Sequence, residues 1–312
     1  MKRYLVVSPA LRDISSLKVL VGGDVRFSRL VKWASKVKVG TDVDAVLAWG
    51  RKDSAIVAER VARRLNLPLY RVEDGFLRSF APGQSEHTLS LVFDDKGIYY
   101  DCSVLSAFDV FACRKLSERE RERSESIRRQ WVGAQVSKYN HARSLNVYPS
   151  SRCVLVVDQT RGDASIKYGA ASQTNFDDML NQAWTSYPDH RILVKTHPEV
   201  IAGSKKGYLT DHPLLKEDRV VLVADDIHSP SLLRIVDAVF CVTSQMGLEA
   251  LFWGKRVHCF GMPFYAGRGL TKDTLVAPTF RKPCTIEQLV HAALIDYCRY
   301  VDPETNKRCD PE

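Results

Sequence analysis

The sequence predicts an α/β fold with two doubly wound parallel sheets, one in each half of the chain. Short apolar segments typical of buried strands alternate with amphipathic helical segments in both halves. A polar stretch over 139–152, which contains Asn140 and Pro149, separates them. We therefore expect an N-terminal domain over 1–148 and a C-terminal domain over 149–312, facing each other across a cleft.

In the first half, strands are predicted at short apolar runs and helices where apolar residues recur every three or four positions. The strands are Arg3–Val7, Lys18–Val21, Asp44–Trp49 and Leu67–Val72, with a hairpin over Leu89–Tyr100 that turns at Asp94–Gly97. The helices are Phe27–Val37, Ser54–Leu65 and Ser117–Val136.

The second half repeats this alternation. Its predicted strands are Val154–Val157, Arg191–Lys195, Arg219–Val223, Asp237–Val242 and Arg256–Phe260. Its predicted helices are Phe176–Tyr187, one starting at Ser229-Pro230, Met246–Trp253 and a terminal helix over Thr285–Tyr300. Fingerprints of the GxGxxG and P-loop types are absent from the sequence.

Composition favours a cytoplasmic globular protein. The 312 residues are 45% hydrophobic and 26% charged, no apolar run is long enough to cross a membrane, and the N-terminus is typical of a strand rather than a signal peptide. The eight cysteines form no CxxC pair, so we expect reduced thiols, buried at Cys153, Cys241, Cys259 and Cys298.

The net charge of +8 suits a phosphorylated substrate, an anionic membrane surface or nucleic acid. Without a basic stripe, a helix-turn-helix signature or an aromatic platform motif, a nucleic-acid partner is disfavoured.

Four polar signatures follow predicted strands, where open α/β sheets bind ligands. One is the segment Thr243–Glu249, which leads from a strand directly into a helix. Backbone N–H groups and hydroxyls there can hold a phosphate, and Glu249 can accept the hydroxyls of a ribose. The alternative is that Ser244 only caps the helix and Glu249 only complements its dipole. The predicted nucleotide-binding residues of this turn are Thr243, Ser244, Gln245, Met246, Gly247 and Glu249.

The second signature is Lys195-Thr196-His197-Pro198. Pro198 biases His197 toward an extended conformation at a strand end, where its imidazole can bind a phosphate or protonate it. The alternative is an ordinary loop histidine. We expect the remaining histidines to be structural or exposed.

Carboxylates make up the other two signatures. Glu73 and Asp74 follow a strand of the first half, and Asp158 and Asp163 flank the turn after the first strand of the second half. Acidic pairs of this kind suit glycosyl transfer, in which one carboxylate attacks or stabilises the sugar centre and another deprotonates the acceptor. The alternative is that each closes a turn or caps a helix.

Five segments resemble the capsule polysaccharide β-Kdo transferases of the KpsC type. They are VEDGFLRS (72–79), LSLVFDDKGIYYD (89–101), VLVVDQTRGDASI (154–166), KTHPEV (195–200) and VTSQMGLEALFWGKRVHCFGMPFYAGRGLT (242–271). The resemblance spans nearly the whole chain in order. It implies a GT-B fold with two Rossmann-like domains, no metal or other cofactor, CMP-Kdo as donor, and a Kdo-terminated phospholipid acceptor at the cytoplasmic face of the inner membrane. It also implies retention of configuration, which needs an enzyme nucleophile.

The resemblance assigns roles to particular residues. Asp163 is the candidate nucleophile, His197 binds the phosphate of CMP and assists its departure, and Glu73 or Asp74 serves the acceptor hydroxyl. Lys195 and Gln159, with Ser165, orient the donor. Arg78 or Lys167 pairs with the carboxylate of Kdo, and the spacing does not choose between them.

The chain departs from the family pattern in two ways. Family chains usually carry two such modules, whereas this chain has one, most like the N-terminal module, so a second Kdo transferase module is an expected partner. Arg268 stands where an aromatic residue is expected. A CDP-polyol phosphotransferase of the teichoic-acid type, with the same GT-B plan, is the alternative function.

Overall fold

The computed structural model describes residues 1–27, 42–82, 87–144, 151–196, 200, 203, 205–223 and 226–312. The described strands are β1 Lys2–Val6, β2 Gly23–Phe27, β3 Ala45–Trp49, β4 Leu69–Asp74, β5 Ser90–Asp94, β6 Cys153–Val157, β7 Arg191–Lys195, β8 Val220–Val223, β9 Val236–Cys241, β10 Arg256–Cys259, β11 Lys272–Asp273, β12 Cys298–Val301 and β13 Arg308–Cys309. The described α-helices are α1 Leu17–Val21, α2 Asp53–Leu65, α3 Ala107–Ala112, α4 Glu118–Gly133, α5 Ala164–Tyr168, α6 Gln173–Ser186, α7 Ser229–Ile235, α8 Met246–Phe252 and α9 Ile286–Val290.

The chain forms two compact units, each built on its own sheet. The first unit comprises Met1–Ile98, Val104–Phe111 and His291–Glu312, and the second comprises Tyr99–Ser103 and Ala112–Val290. These units differ from the predicted domains at three places. The segments Tyr99–Ser103 and 112–144 belong to the second unit. The C-terminal segment from His291 belongs to the first unit, because β12 pairs with β5.

The second unit contains a parallel sheet with the strand order β8-β7-β6-β9-β10-β11. Counted from β6, this is the 3-2-1-4-5-6 order of a Rossmann-like sheet, in which the chain changes direction between β6 and β9. Every residue of β6 is buried, as expected for a central strand covered on both faces. The described elements confirm the prediction for this half and place the switch point beside Asp158 and Val242.

The first unit contains a mixed sheet rather than the predicted parallel one. Strands β1 to β4 are parallel neighbours in the order β2-β1-β3-β4, but β5, β12 and β13 continue the sheet in antiparallel pairs. The first unit is still Rossmann-like, and the predicted α/β fold with two Rossmann-like domains is confirmed.

The predicted hairpin over Leu89–Tyr100 is wrong. Only β5 forms, and the Asp94 carboxylate at its end accepts hydrogen bonds from the backbone N–H groups of Lys96, Gly97 and Ala107. These bonds turn the chain toward α3 instead of back along β5.

Two further predictions of element type are wrong. Lys18–Val21 lies in the helix α1, because Leu17, Leu20 and Val21 share one buried helical face. The predicted terminal helix stops as α9 at Val290, continues as a π-helical turn over His291–Asp296, and gives way to β12. Strand pairing of Cys298–Val301 with β5 overrides the helical pattern there.

Other elements lie close to their predicted bounds. The helix α4 begins after Ser117, whose side chain forms a capping box with Glu120. The N-cap of α7 is His228, one residue before the predicted Ser229. Most of the predicted helix Phe27–Val37 lies outside the described residues, and Phe27 itself ends β2.

The prediction of four buried cysteine thiols is confirmed. Cys153, Cys241, Cys259 and Cys298 are buried free thiols. Within the described ranges, no helix combines the length and hydropathy that crossing a membrane requires.

Candidate active site

Polar side chains from β6 and β9 meet at the carboxyl edge of the second sheet. Thr243 follows β9, and Gln159 follows β6. The Gln159 amide oxygen accepts from the Thr243 backbone N–H at 3.0 Å, and its amide nitrogen donates to the Thr243 hydroxyl at 3.1 Å. These bonds join the two strands at the point where the strand order reverses, which is the ligand-binding edge of such sheets.

Asp163 lies beside this pair. The β6–α5 loop turns at Gly162, whose φ of +88° is one that glycine adopts readily, and places Asp163 at the N-cap of α5. One carboxylate oxygen, Oδ1, accepts from the Ser165 N–H at 2.9 Å, and the other, Oδ2, is 3.5 Å from the Gln159 amide nitrogen. The side chain is exposed, so its second oxygen can reach a ligand.

Ser165 completes the cluster. Its hydroxyl lies 2.9 Å from the Thr243 hydroxyl and 3.5 Å from the Gln159 amide nitrogen. The structure therefore brings together four residues that the sequence predicted from two separate segments: Gln159, Asp163, Ser165 and Thr243.

Asp158 is a buried scaffold residue. Its carboxylate accepts from the backbone N–H groups of Gln159, Tyr208 and Leu209 at 2.8, 3.0 and 3.2 Å, and from the Thr196 hydroxyl at 3.3 Å. Burial raises the pKa of this carboxyl, although these hydrogen bonds oppose the change. Asp158 thus ties the ends of β6 and β7 to the segment around Tyr208, and Asp163 is the exposed acid of this loop.

We expect Asp158→Ala to lower the free energy of unfolding by about 2 kcal/mol, since it removes the acceptor of several buried N–H groups. Urea denaturation measures this loss. Asp158→Asn is the control, because its amide oxygen still accepts from the backbone and we expect it to recover most of the stability. Equal urea midpoints for the alanine variant and the wild type would contradict the scaffold role.

The turn after β9 carries the predicted phosphate-binding residues. The half-buried Ser244 accepts from the Met246 N–H through its hydroxyl at 3.2 Å, and Gln245 is the N-cap residue of α8. Met246 and Gly247 are buried in the first turn of that helix. Thr243 and Ser244 therefore supply the hydroxyl groups of this turn.

Glu249 lies on α8, but only 2% of its surface is exposed. One carboxyl oxygen accepts from the Ser137 hydroxyl at 2.8 Å, and the other accepts from the Lys138 N–H at 3.1 Å and from the Gln245 amide at 3.3 Å. Burial raises the pKa of this carboxyl to about 7. The structure shows it holding the Ser137–Lys138 turn against α8, and its contact with a ribose stays a prediction.

Lys195 ends β7 near this buried acid. Its ammonium group donates to the Ile227 carbonyl at 3.3 Å. Burial lowers the pKa of Lys195, and the charges of Asp226 and Glu249 oppose that change. His197, the predicted phosphate ligand, lies outside the described residues, so its role stays a prediction.

Two predicted sugar-carboxylate partners differ in their surroundings. Arg78 is buried in the first unit, where it donates to the Ser79 hydroxyl at 2.8 Å and lies 3.4 Å from Asp74. Lys167 is exposed on α5, four residues after Asp163. Arg78 already pairs with Asp74 whereas Lys167 is exposed, and the contact of either residue with the Kdo carboxylate stays a prediction.

Glu73 and Asp74, the predicted acceptor bases, are the last two residues of β4. They lie inside the antiparallel ladder, opposite Val92 and Leu91 of β5, rather than in a loop after the strand. Both are half-buried, and one Glu73 oxygen accepts from the Asp74 N–H at 3.3 Å.

Sequence reasoning missed several residues that support the site. Ser137 and Lys138 contact Glu249 across more than a hundred residues of chain, and Tyr265 reaches the Ser244 carbonyl. For Ser137 and Lys138, the sequence feature that could have indicated a turn is Asn140. Its side chain accepts from the Ser137 N–H and donates to the Ser137 carbonyl. His141, expected to be structural or exposed, bonds to Asp226 at 2.6 Å.

Two solved structures resemble the whole chain. The β-Kdo 2,4 transferase of KpsC from Thermosulfurimonas dismutans is 34% identical, with a TM-score of 0.89 over 99% of this chain and 95% of that one. The β-Kdo 2,7 transferase of KpsC from the same organism is 28% identical, with a TM-score of 0.73 over 100% and 96% of the two chains.

Curated relatives are longer than this chain. The capsule polysaccharide modification protein LipA of Neisseria meningitidis serogroup A is 40% identical over 290 residues, which cover 86% of this chain and 40% of that protein. The lipopolysaccharide-processing protein LpsZ of Rhizobium meliloti is 35% identical over 269 residues, which cover 82% of this chain and 59% of that protein. The chain thus spans about two fifths of the length of LipA.

The capsule polysaccharide biosynthesis protein family matches residues 44–128 and 106–300, which together make up most of the chain. The predicted resemblance is thereby confirmed at both levels, by sequence and by structure. The chain belongs to the capsule polysaccharide biosynthesis protein family and, within it, to the KpsC type.

Proposed function

We propose that the chain is a retaining β-Kdo glycosyltransferase that transfers Kdo from CMP-Kdo to a Kdo-terminated lipid primer of capsular polysaccharide. One observation carries the proposal: the exposed carboxylate of Asp163 lies at the switch point of the second sheet, beside Gln159, Ser165 and Thr243. The similarity to the KpsC β-Kdo 2,4 transferase supports the sugar and favours a 2→4 linkage.

The first step is displacement of CMP. Asp163 attacks through Oδ2, because Oδ1 accepts from the Ser165 N–H. A carboxylate oxygen bonds to the anomeric carbon of Kdo while the bond from that carbon to the phosphate oxygen breaks, and CMP leaves with the electron pair. The hydroxyls of Thr243 and Ser244 bind the phosphate, with His197 in the predicted role of assisting its departure.

The second step releases the sugar from the enzyme. Glu73, or else Asp74, takes the proton of an acceptor hydroxyl, whose oxygen bonds to the anomeric carbon while the bond to Asp163 breaks. Two inversions restore the configuration of the donor. Lys167 pairs with the carboxylate of Kdo in both steps.

The covalent intermediate gives a direct prediction. After brief exposure to CMP-Kdo without acceptor, we expect the intact protein to gain the mass of one Kdo residue, carried by the peptide that contains Asp163. Mass spectrometry of the intact protein and of its peptides measures this. The increment on another peptide, or rapid transfer with no increment under any quench condition, would contradict the assignment.

A donor comparison tests the wider function. We expect CMP-Kdo and a Kdo-terminated primer to yield a product longer by one Kdo, with β configuration by NMR. CDP-glycerol should yield nothing. A product with a new phosphodiester from CDP-glycerol would instead support the polyol phosphotransferase alternative. A second Kdo transferase module as partner, and attachment to an anionic inner-membrane surface, remain predictions.

A further inference from the structure

Tyr265 lies beneath the turn that carries Thr243 and Ser244. Its side chain is fully buried, and its hydroxyl donates to the backbone carbonyl of Ser244 at 2.5 Å. The sulfur of Cys241 is 3.3 Å from the same hydroxyl. Burial raises the pKa of Tyr265 well above its ordinary value, so the phenol keeps its proton as a donor.

The local sequence makes room for this phenol. A Cβ atom at position 247 would lie 2.1 Å from the Tyr265 hydroxyl oxygen and 2.6 Å from its ring carbon Cζ. Glycine at 247 therefore allows the aromatic side chain to approach the first turn of α8 from below. Any larger residue there would push the phenol away from Ser244.

The turn is held on both sides. On the β6 side, Gln159 accepts from the Thr243 N–H at 3.0 Å. On the other side, the Tyr265 hydroxyl donates to the Ser244 carbonyl, which also accepts from the Gly247 N–H at 3.1 Å. The peptide groups before Thr243 and after Ser244 are thus both hydrogen-bonded, which restricts the backbone that carries the two hydroxyl-bearing side chains.

We propose that Tyr265 is a positioning residue for the nucleotide: through the Ser244 carbonyl, it sets the geometry in which the Thr243 and Ser244 hydroxyls meet the donor phosphate. This rests on the proposed function, since it concerns the same turn. Tyr265 itself contacts no substrate. Its effect is on how much of the phosphate-binding geometry is already formed before CMP binds.

Tyr265→Phe tests this, with Tyr297→Phe as the matched control. Tyr297 is also buried, and its hydroxyl donates to the Asp94 carboxylate at 2.7 Å in the first unit. Each variant removes a buried phenol hydroxyl together with its hydrogen bond to an oxygen acceptor. We expect Tyr265→Phe to weaken CMP binding about tenfold by isothermal titration calorimetry, and Tyr297→Phe to change it less than about twofold. Both should lower the melting temperature similarly.

Hydrogen exchange gives a measurement that needs no nucleotide. We expect the amides of 243–247 to exchange faster in Tyr265→Phe than in the wild type and to be unchanged in Tyr297→Phe. Equal weakening of CMP binding in both variants, or unchanged exchange of this turn in Tyr265→Phe, would overturn the proposal. If wild-type protein fails to bind CMP, the proposed function fails, and the exchange result alone decides the positioning role.

A second variant covers the case in which Tyr265→Phe does not fold. Gly247→Ala keeps the Tyr265 side chain but forces its phenol away from the turn. We expect the same loss of CMP affinity and faster exchange over 243–247. Wild-type affinity with a wild-type exchange pattern in a folded Gly247→Ala protein would also overturn the proposal.

Discussion

Replacing Asp163 with asparagine should reduce Kdo transfer by at least about 1,000-fold while leaving the affinity for CMP within about threefold of the wild type. The amide cannot form the glycosyl–enzyme bond. Asparagine caps a helix as well as aspartate does, so the bond from the Ser165 N–H is kept and α5 should remain folded. Transfer from CMP-Kdo under saturating donor, and CMP binding by calorimetry, measure the two effects.

Asp158→Asn is the matched control, because it makes the same change five residues earlier in the same loop. Asp158 is buried and engaged with backbone N–H groups, so we expect its variant to keep transfer within about threefold. Near-wild-type transfer by Asp163→Asn, or equal losses in both variants, would show that Asp163 is not the nucleophile.

The sequence predicted the second unit well because its signals are local. An all-buried strand such as Cys153–Val157, followed by a helix with the right period, leaves little choice of fold. The polar residues that follow β6 and β9 then meet at one edge because parallel strands end together. That rule is sufficient to predict that Gln159, Asp163 and Thr243 lie at the same edge of the sheet.

Two of the errors arose where a partner outside the local segment decided the structure. The sequence pattern of Cys298–Val301 alone predicts a helix. The segment forms a strand because it pairs with β5 in the first sheet. The hairpin prediction was wrong because the Asp94 carboxylate accepts from the backbone N–H of Ala107, thirteen residues later. Neither partner can be identified from the period of a short window.

Burial was the other property that the sequence did not reveal. Glu249 is the residue predicted to bind the ribose, yet its carboxyl is buried against Ser137 and Lys138. Spacing made Arg78 and Lys167 equal candidates, and it gave no sign that Arg78 is buried beside Asp74. Spacing along the chain does not distinguish a carboxylate facing solvent from one turned toward a neighbouring loop.

Because Glu249 is buried, the stability of the protein should depend on pH in a way that Glu249→Gln removes. The carboxyl has an ordinary pKa of 4.5, and burial raises it to about 7 in the folded protein. Between these values the folded state keeps a proton that the unfolded state has released. The stabilisation is therefore complete below pH 4.5 and is lost as the pH rises through 7, by a total on the order of 3 kcal/mol.

The quantity to measure is the difference in free energy of unfolding between the wild type and Glu249→Gln, from urea denaturation at several pH values. We expect this difference to shift against the wild type between pH 4.5 and pH 8, because glutamine carries no titrating proton and can still bond to Ser137 and Lys138. Glu120→Gln is the control: hydrogen bonds from Arg114 and Ser117 lower the pKa of Glu120 to about 2, so its stabilisation is lost only as the pH falls below 4.5. A difference that stays constant for Glu249→Gln across this range would mean that the carboxyl is not held away from solvent, and the contact with the Ser137–Lys138 turn would then not describe the protein in solution.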